Sequence, residues 1–271
     1  MTECERSSTI VFEHVVEVIL QIEKGGSDGL PENASIIKTR GWKMLPSIIS
    51  ENSRAWASKK ENAECRYCDF LLGERADRGN REPWNKIIYE SDNFVVVPTL
   101  GSLVEGWLLI VTKEHFLCMG ALPDTFRKEI EAVVDFTSNA ITHSFNTPTI
   151  FEHGPSREGS DIGCGIDHAH LHLVPLKFSL LAQARKSKEL NELVWSHSRD
   201  DFHQLQNLHR QGKSYLYIKE PNSESVYCTP EAVPCQSLRR IIARTIGIES
   251  AYDYNKYHFE SNVERTIRTL Q

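Results

Sequence analysis

Gly163 to Pro175 reads GCGIDHAHLHLVP, with His168, His170 and His172 at every second position. Successive side chains of a β-strand alternate between faces, so the three imidazoles share one face and Ala169, Leu171 and Leu173 share the other. Imidazole titrates near pH 6.5, so a large neutral fraction is available as a nucleophile at neutral pH. Attack on phosphorus gives a covalent N–P intermediate, which divides one hard displacement into two easier ones. Such a nucleophile needs a neighbour to fix its tautomer. The charge that develops on the phosphoryl oxygens needs donors, which a flanking imidazole and the N–H groups of a glycine loop supply. His170 has a histidine on each side and is the best placed to attack. The competing readings are surface histidines, a fortuitous metal chelate, or a core strand with one satisfied histidine. Strict alternation behind a glycine loop favours the reactive, one-faced strand.

A second group is Cys65-Arg66-Tyr67-Cys68. Two thiolates at this spacing bind one Zn²⁺ when two histidines complete a tetrahedron. Two buried thiols are the plain alternative. A redox pair is a lesser one, since no thioredoxin-like βαβ pattern surrounds the motif.

These residues sit in a chain of 271 residues, with 40% hydrophobic and 25% charged residues. That is the composition of an ordinary globular protein with a substantial core. The net charge of −6 argues against general nucleic-acid binding, because there is no basic excess to neutralise phosphates. No secretory signal and no apolar run of membrane-spanning length is read. The seven cysteines are irregularly spaced, which fits reduced thiols in a cytoplasmic protein.

The elements that position the histidines follow from periodicity. Residues 9–23 have helical spacing of apolar residues, and 1–62 reads as an N-terminal extension. KIIYESDNFVVVPTL and GWLLIVTKEHF read as two neighbouring strands. Residues 123–145 open with Pro-Asp and read as a helix. TPTIFEHG is a short strand, followed by a glycine-rich loop and the histidine strand. Residues 179–211 read as helical, 214–220 as a strand, and PCQSLRRIIARTIG as a helix ended by Gly247. The expected fold is α+β, an antiparallel sheet with helices on one side. Its core is 63–178, and 179–271 is a C-terminal extension packed on the same domain.

HAHLHLV resembles the His-x-His-x-His-apolar-apolar signature of the histidine triad superfamily of nucleotide hydrolases and transferases. The resemblance runs over roughly residues 63–175 and takes in the paired strands, the following helix and the glycine loop. It implies a histidine triad fold and attack by His170 on the α-phosphorus of a nucleoside phosphate derivative. His172 would contact the transferring phosphate, and a nucleotidyl-histidine would pass to water or another acceptor. The substrates implied are dinucleoside polyphosphates, phosphoramidates or nucleotide sugars. Zinc-bearing members, and the related galactose-1-phosphate uridylyltransferase, place CxxC before the strand pair. They complete the site with a histidine after the second strand and the first histidine of the triad. Carried over, the zinc ligands are Cys65, Cys68, His115 and His168, in a closed structural site. Such proteins are often dimers, so a homodimer is implied.

Two positions depart from the family. Pro98 stands where many members have a ribose-holding Asn, and Gly163-Cys164-Gly165-Ile166 replaces a Gln or Ser before the triad. Glu152, His153, Ser156 and Arg157 are the candidates to take over those roles, with Arg157 the choice for a phosphate contact and Gly165 of the loop a further substrate contact. Arg239 and Arg240 open a helix and read as a solvated face, with reach to a distal phosphate as the sharper alternative. Two other functions stay open: a nucleotide-binding or interaction protein of the same fold with little turnover, and a hydrolase whose three triad histidines hold a catalytic metal.

Overall fold

The computed structural model describes residues 65–72, 82–160, 162 and 166–271. The helix expected over 9–23 and the extension 1–62 lie outside them. Among the described residues, eight strands form one sheet: β1 (Tyr89–Glu90), β2 (Phe94–Pro98), β3 (Leu108–Thr112), β4 (Thr149–Gly154), β5 (His170–Val174), β6 (Ser196–Ser198), β7 (Tyr215–Lys219) and β8 (Ser225–Cys228). Their order is β1-β2-β3-β5-β4-β7-β8-β6, and every pairing is antiparallel. The helices are α1 (Arg66–Leu72), α2 (Arg127–Ser144), α3 (Leu180–Lys186), α4 (Asp201–Arg210), α5 (Ser237–Thr245) and α6 (Glu260–Leu270). None of them is long and apolar enough to cross a membrane.

The strand pair expected between residues 86 and 116 is β2 and β3, joined in register from Phe94↔Thr112 to Pro98↔Leu108. Both strands are buried from end to end. That uniform burial corrects the expectation of helices on one side, because each face of the sheet has its own cover. On the back, Ile130, Val133 and Ile141 of α2 and Leu205 and Leu208 of α4 pack on Phe94, Val96, Leu108, Ile110, Leu171 and Leu173. On the front, Tyr67 and Phe70 of α1 cover Val95, Val97, Leu109 and Val111. Further along the same face, α3 and α5 cover Trp107, Phe151, Val174, Leu216 and Ile218 with Leu180, Leu238 and Ile242.

The C-terminal segment continues the sheet of the core. β7 pairs with β4 from Ile150↔Lys219 to Gly154↔Tyr215. The helical reading of 179–211 is interrupted by β6, because Ser196–Ser198 pairs with Ser225–Tyr227. α5 stops at Thr245, and Gly247 takes φ +82, a conformation that costs glycine nothing.

Between the faces, β4 alternates. Phe151 and His153 look to the front, and Glu152 looks to the back. There Met119 N–H donates to Glu152 Oε1 at 2.7 Å and the Tyr215 hydroxyl donates to Oε2 at 2.6 Å. Burial pushes the Glu152 carboxyl up from 4.5 to about 7, against the pull of those two hydrogen bonds. The folded protein thus keeps a proton between pH 4.5 and 7 that the unfolded chain has released. The stability this contributes is full below the unfolded value and is lost as pH rises through the folded one. We expect unfolding free energy to fall by up to about 3 kcal/mol between about pH 5 and pH 8 from this group. Urea titrations of Glu152→Gln should show a flatter pH profile than the wild type; an unchanged slope would refute the assignment.

Candidate active site and metal centre

β5 lies between β3 and β4, with His172 opposite Leu109 on one side and Phe151 on the other, and His170 opposite Val111. The strand begins at His170, so His168 stands just before it. Ala169, Leu171 and Leu173 go to the back-face core, as their alternation requires. The three imidazoles stay in front but divide between two tasks.

His168 turns toward the cysteines. Its Nδ1 lies 3.3 Å from Cys65 Sγ and 3.7 Å from Cys68 Sγ, and His115 Nδ1 lies 3.3 Å from Cys68 Sγ. The four donor atoms all fall within 4.8 Å of one another. The carbonyl of Thr112 accepts from His168 Nε2 at 2.7 Å, so the proton sits on Nε2 and the lone pair on Nδ1 faces the thiols. Burial holds the His168 imidazole neutral, with its pKa lowered to about 3. These residues could hold a metal ion, with ligand atoms from the start of α1 and the residue before it, the turn after β3 and the approach to β5.

His170 and His172 face a cleft over the sheet. The cleft is lined by Arg66 and Tyr67 of α1, Thr99 and Leu100 after β2, His153, and Gln236, Arg239 and Tyr254 of the C-terminal segment. The two rings lie 4.9 Å apart between centroids. Their hydrogen bonds fix opposite tautomers. The carbonyl of His168 takes a hydrogen bond from His170 Nδ1 at 2.6 Å. A carbonyl only accepts, so His170 carries its proton on Nδ1 and a lone pair on Nε2. The Trp107 indole donates to His172 Nδ1 at 3.1 Å. An indole only donates, so His172 carries its proton on Nε2. The His172 ring also stacks on Phe151 at 4.4 Å and 11°. Burial lowers the pKa of His170, His172 and His153 and keeps all three neutral.

The other expected site residues separate. His153 lines the cleft, within 3.4 Å of Ser237 Oγ. Glu152, next to it, is corrected: the strand period sends its carboxylate to the back face, away from the cleft. Arg157 is exposed in the turn after β4 and is not among the described residues that line the cleft. Gly165 and Cys164 lie outside the described residues. Cys118 is on the back face, where burial pushes its thiol up to about 12. Thr99, not Pro98, reaches the cleft at the end of β2. Arg239 is buried in the cleft wall, while Arg240 stacks on Tyr252 at 3.7 Å. The three triad rings do not converge on a single point: one joins the cysteines and the others are engaged through Nδ1 with a carbonyl and an indole.

No family model matches the chain, and no curated protein matches it. Among solved structures, it is similar to a hypothetical histidine triad nucleotide-binding protein from Sulfolobus tokodaii strain7. That likeness has 17% identity and a TM-score of 0.33, over 55% of this chain and 91% of that one.

The tautomers are directly measurable. In protein with ¹⁵N-labelled histidine, His170 should show the Nδ1–H form and His172 the Nε2–H form. Trp107→Phe removes the indole donor and should turn the His172 signal into a mixture of the two forms. A single unchanged form in Trp107→Phe would mean that something other than the indole sets this ring.

Proposed function

We propose that this protein is a nucleotide hydrolase or nucleotidyltransferase of the histidine triad type, acting through a covalent nucleotidyl-His170. The observation that carries this reading is the pair of complementary tautomers on the floor of the cleft. His170 presents a lone pair on Nε2, and its neighbour His172 presents a proton on Nε2. One nitrogen attacks where the other donates, and neither has to exchange a proton first.

The first half-reaction forms the His170 Nε2–P bond at the α-phosphorus and breaks the bond from phosphorus to the leaving group. The leaving group departs with the bonding electron pair, as the anion where it is a phosphate and with a proton taken from solvent where it is an amine. His172 Nε2–H donates to a non-bridging oxygen, where charge gathers in the transition state. The imidazole, bonded at both nitrogens, is then cationic, and the His168 carbonyl steadies it through Nδ1–H. In the second half-reaction, water or another hydroxyl acceptor forms the new P–O bond. The N–P bond breaks, returning its electron pair to Nε2, and the acceptor's proton is released to solvent. Tyr67, Leu100, Leu109 and Ile166 give the cleft an apolar wall for the nucleoside.

Zinc is the metal proposed for the Cys65, Cys68, His115 and His168 site. Tetrahedral bonds from zinc to sulfur and to nitrogen imply S···N edges of about 3.5 Å. The observed separations of 3.3, 3.3 and 3.7 Å bracket that value. With four protein ligands the site is closed and supplies cross-linking, not chemistry. It ties α1 to the residue whose carbonyl orients His170. The core of 63–178 thereby carries the reaction, and 179–271 closes over it.

Intact-protein mass spectrometry under non-acidic conditions tests the covalent step. After brief mixing with dinucleoside polyphosphates, adenosine phosphoramidates or nucleotide sugars, the wild type should gain the mass of one nucleotide. His170→Ala should not. Substrate neither consumed nor attached across the panel would overturn the enzyme reading and leave a nucleotide-binding protein.

The metal has its own readout. Native mass spectra should show one zinc per chain, and Cys68→Ser should lose it and melt at a lower temperature. A zinc-free wild type with full thermal stability would exclude the site.

A further inference from the structure

The sheet brings into the cleft one residue of the C-terminal segment whose sequence context suggests a solvated helix face. Arg239, in the first turn of α5, is 4% exposed. Its Nε donates to the carbonyl of Tyr252 at 3.1 Å and its Nη2 to the carbonyl of Gly101 at 2.5 Å. These two carbonyls, from separate segments, fix the plane of the guanidinium. The group lies 4.8 Å from the centroid of Trp107, the ring that donates to His172, and 5.8 Å from that of Tyr254. It is close enough to His153 and His172 to disfavour protons on both.

The charge of the cleft is the second observation. The chain as a whole is acidic, at −6. The described lining of the cleft contains two guanidinium groups, those of Arg66 and Arg239, and no aspartate or glutamate. His170 and His172 are engaged through Nδ1 with a carbonyl and an indole, and the permanent positive charges of this lining are its arginines. The cleft also has a direction. Tyr67 packs against His168 and His170 at 5.5 and 5.8 Å, and Arg239 stands at the other end of the row, over Trp107 beside His172. Half-buried Arg66 lies 5.9 Å from the Tyr67 ring at one end, and buried Arg239, held by two carbonyls, marks the other, with the attacking nitrogen between them.

We propose that Arg239, with Gln236 and Tyr254 beside it, forms the subsite for an anionic leaving group that itself bears phosphate. This rests on the nucleotidyl-transfer reading above and narrows it. Polyphosphate and sugar-phosphate leaving groups fit the subsite, and the neutral amine of a phosphoramidate does not use it. Guanidinium pairs with phosphoryl oxygens through charge-assisted hydrogen bonds that a neutral leaving group cannot make.

The test is the ratio of kcat/KM for diadenosine tetraphosphate to that for adenosine 5′-phosphoramidate. Arg239→Gln should lower this ratio by about tenfold to a hundredfold, the value of one or two charge-assisted hydrogen bonds. Arg239→Lys should lower it by less. Equal losses on both substrates, or no loss, overturn the proposal, since a purely structural arginine would not change the ratio. A second arm needs no turnover. In His170→Ala protein, inorganic tripolyphosphate and glucose 1-phosphate are titrated by calorimetry, and the tighter binder separates a polyphosphate from a sugar-phosphate leaving group. Adding Arg239→Gln should weaken that binding at least about tenfold. Binding that is unchanged, or absent for both ligands, overturns the subsite. Where Arg239→Gln fails to fold, Gln236→Glu places a near-isosteric negative charge in the same wall and should weaken tripolyphosphate binding by a similar factor. Because the binding arm does not require catalysis, a wild type that neither consumes substrate nor forms an adduct would refute the function, and the titrations would still decide for or against the subsite.

Discussion

A strand buried on both faces has no latitude in register, because a slip of one residue would exchange every side chain between the two faces. β5 is such a strand. Its leucines belong to the core under α2 and α4, and its histidines belong to the cleft. The back-face packing of Leu171 and Leu173 therefore holds His170 and His172 in the front row. The imidazoles need no direct scaffold of their own, and the hydrophobic effect on one face fixes polar chemistry on the other.

From that constraint the hydrogen bonds follow in series. Register sets His172 opposite Leu109, in reach of Trp107 at the head of β3, and the indole decides the tautomer of His172. The residue before the strand, His168, contributes twice. Its ring joins the cysteines and its carbonyl accepts from His170. A group that tightens the cysteine–histidine cluster thus tightens the orientation of a different imidazole two residues away. A metal held by this cluster would act on the His170 ring without touching it, in the manner of an outer-shell partner.

What the sequence conveyed and what it did not divides along physical lines. The period of two around His168–His172 and the β-branched runs in β2 and β3 are local signals, and they foretold the strands and their pairing. The helix of 127–144 was equally plain, from its apolar spacing. Glu152 and His153 show the limit. They are neighbours in sequence and both polar, and only the register of β4 against β5 and β7 tells which one meets the cleft. Arg239 shows another. A charged residue in a helix ordinarily lies in solvent, and nothing in QSLRR says that Trp107, more than a hundred residues earlier, offers a ring to lie over it. The covering of both faces was hidden for a similar reason, since uniform burial of Phe94–Pro98 reads in sequence as an apolar run whatever packs on it.

The cleft is assembled from segments far apart in the chain, and the division has a chemical logic. His170, His172 and the groups that set their tautomers all come from residues 107–172. The Arg239 end of the wall comes from residues 236–254, which are tied to the core by the packing of Leu238 and Ile242 and by Arg239 itself, through Gly101. In the transfer proposed above, the histidines contact only the group being transferred and give no selectivity for the group that leaves. Discrimination has to come from the walls, where the two sides of the broken bond differ. Under that proposal, the guanidinium fixed at the His172 end tells one leaving group from another without altering the attacking nitrogen.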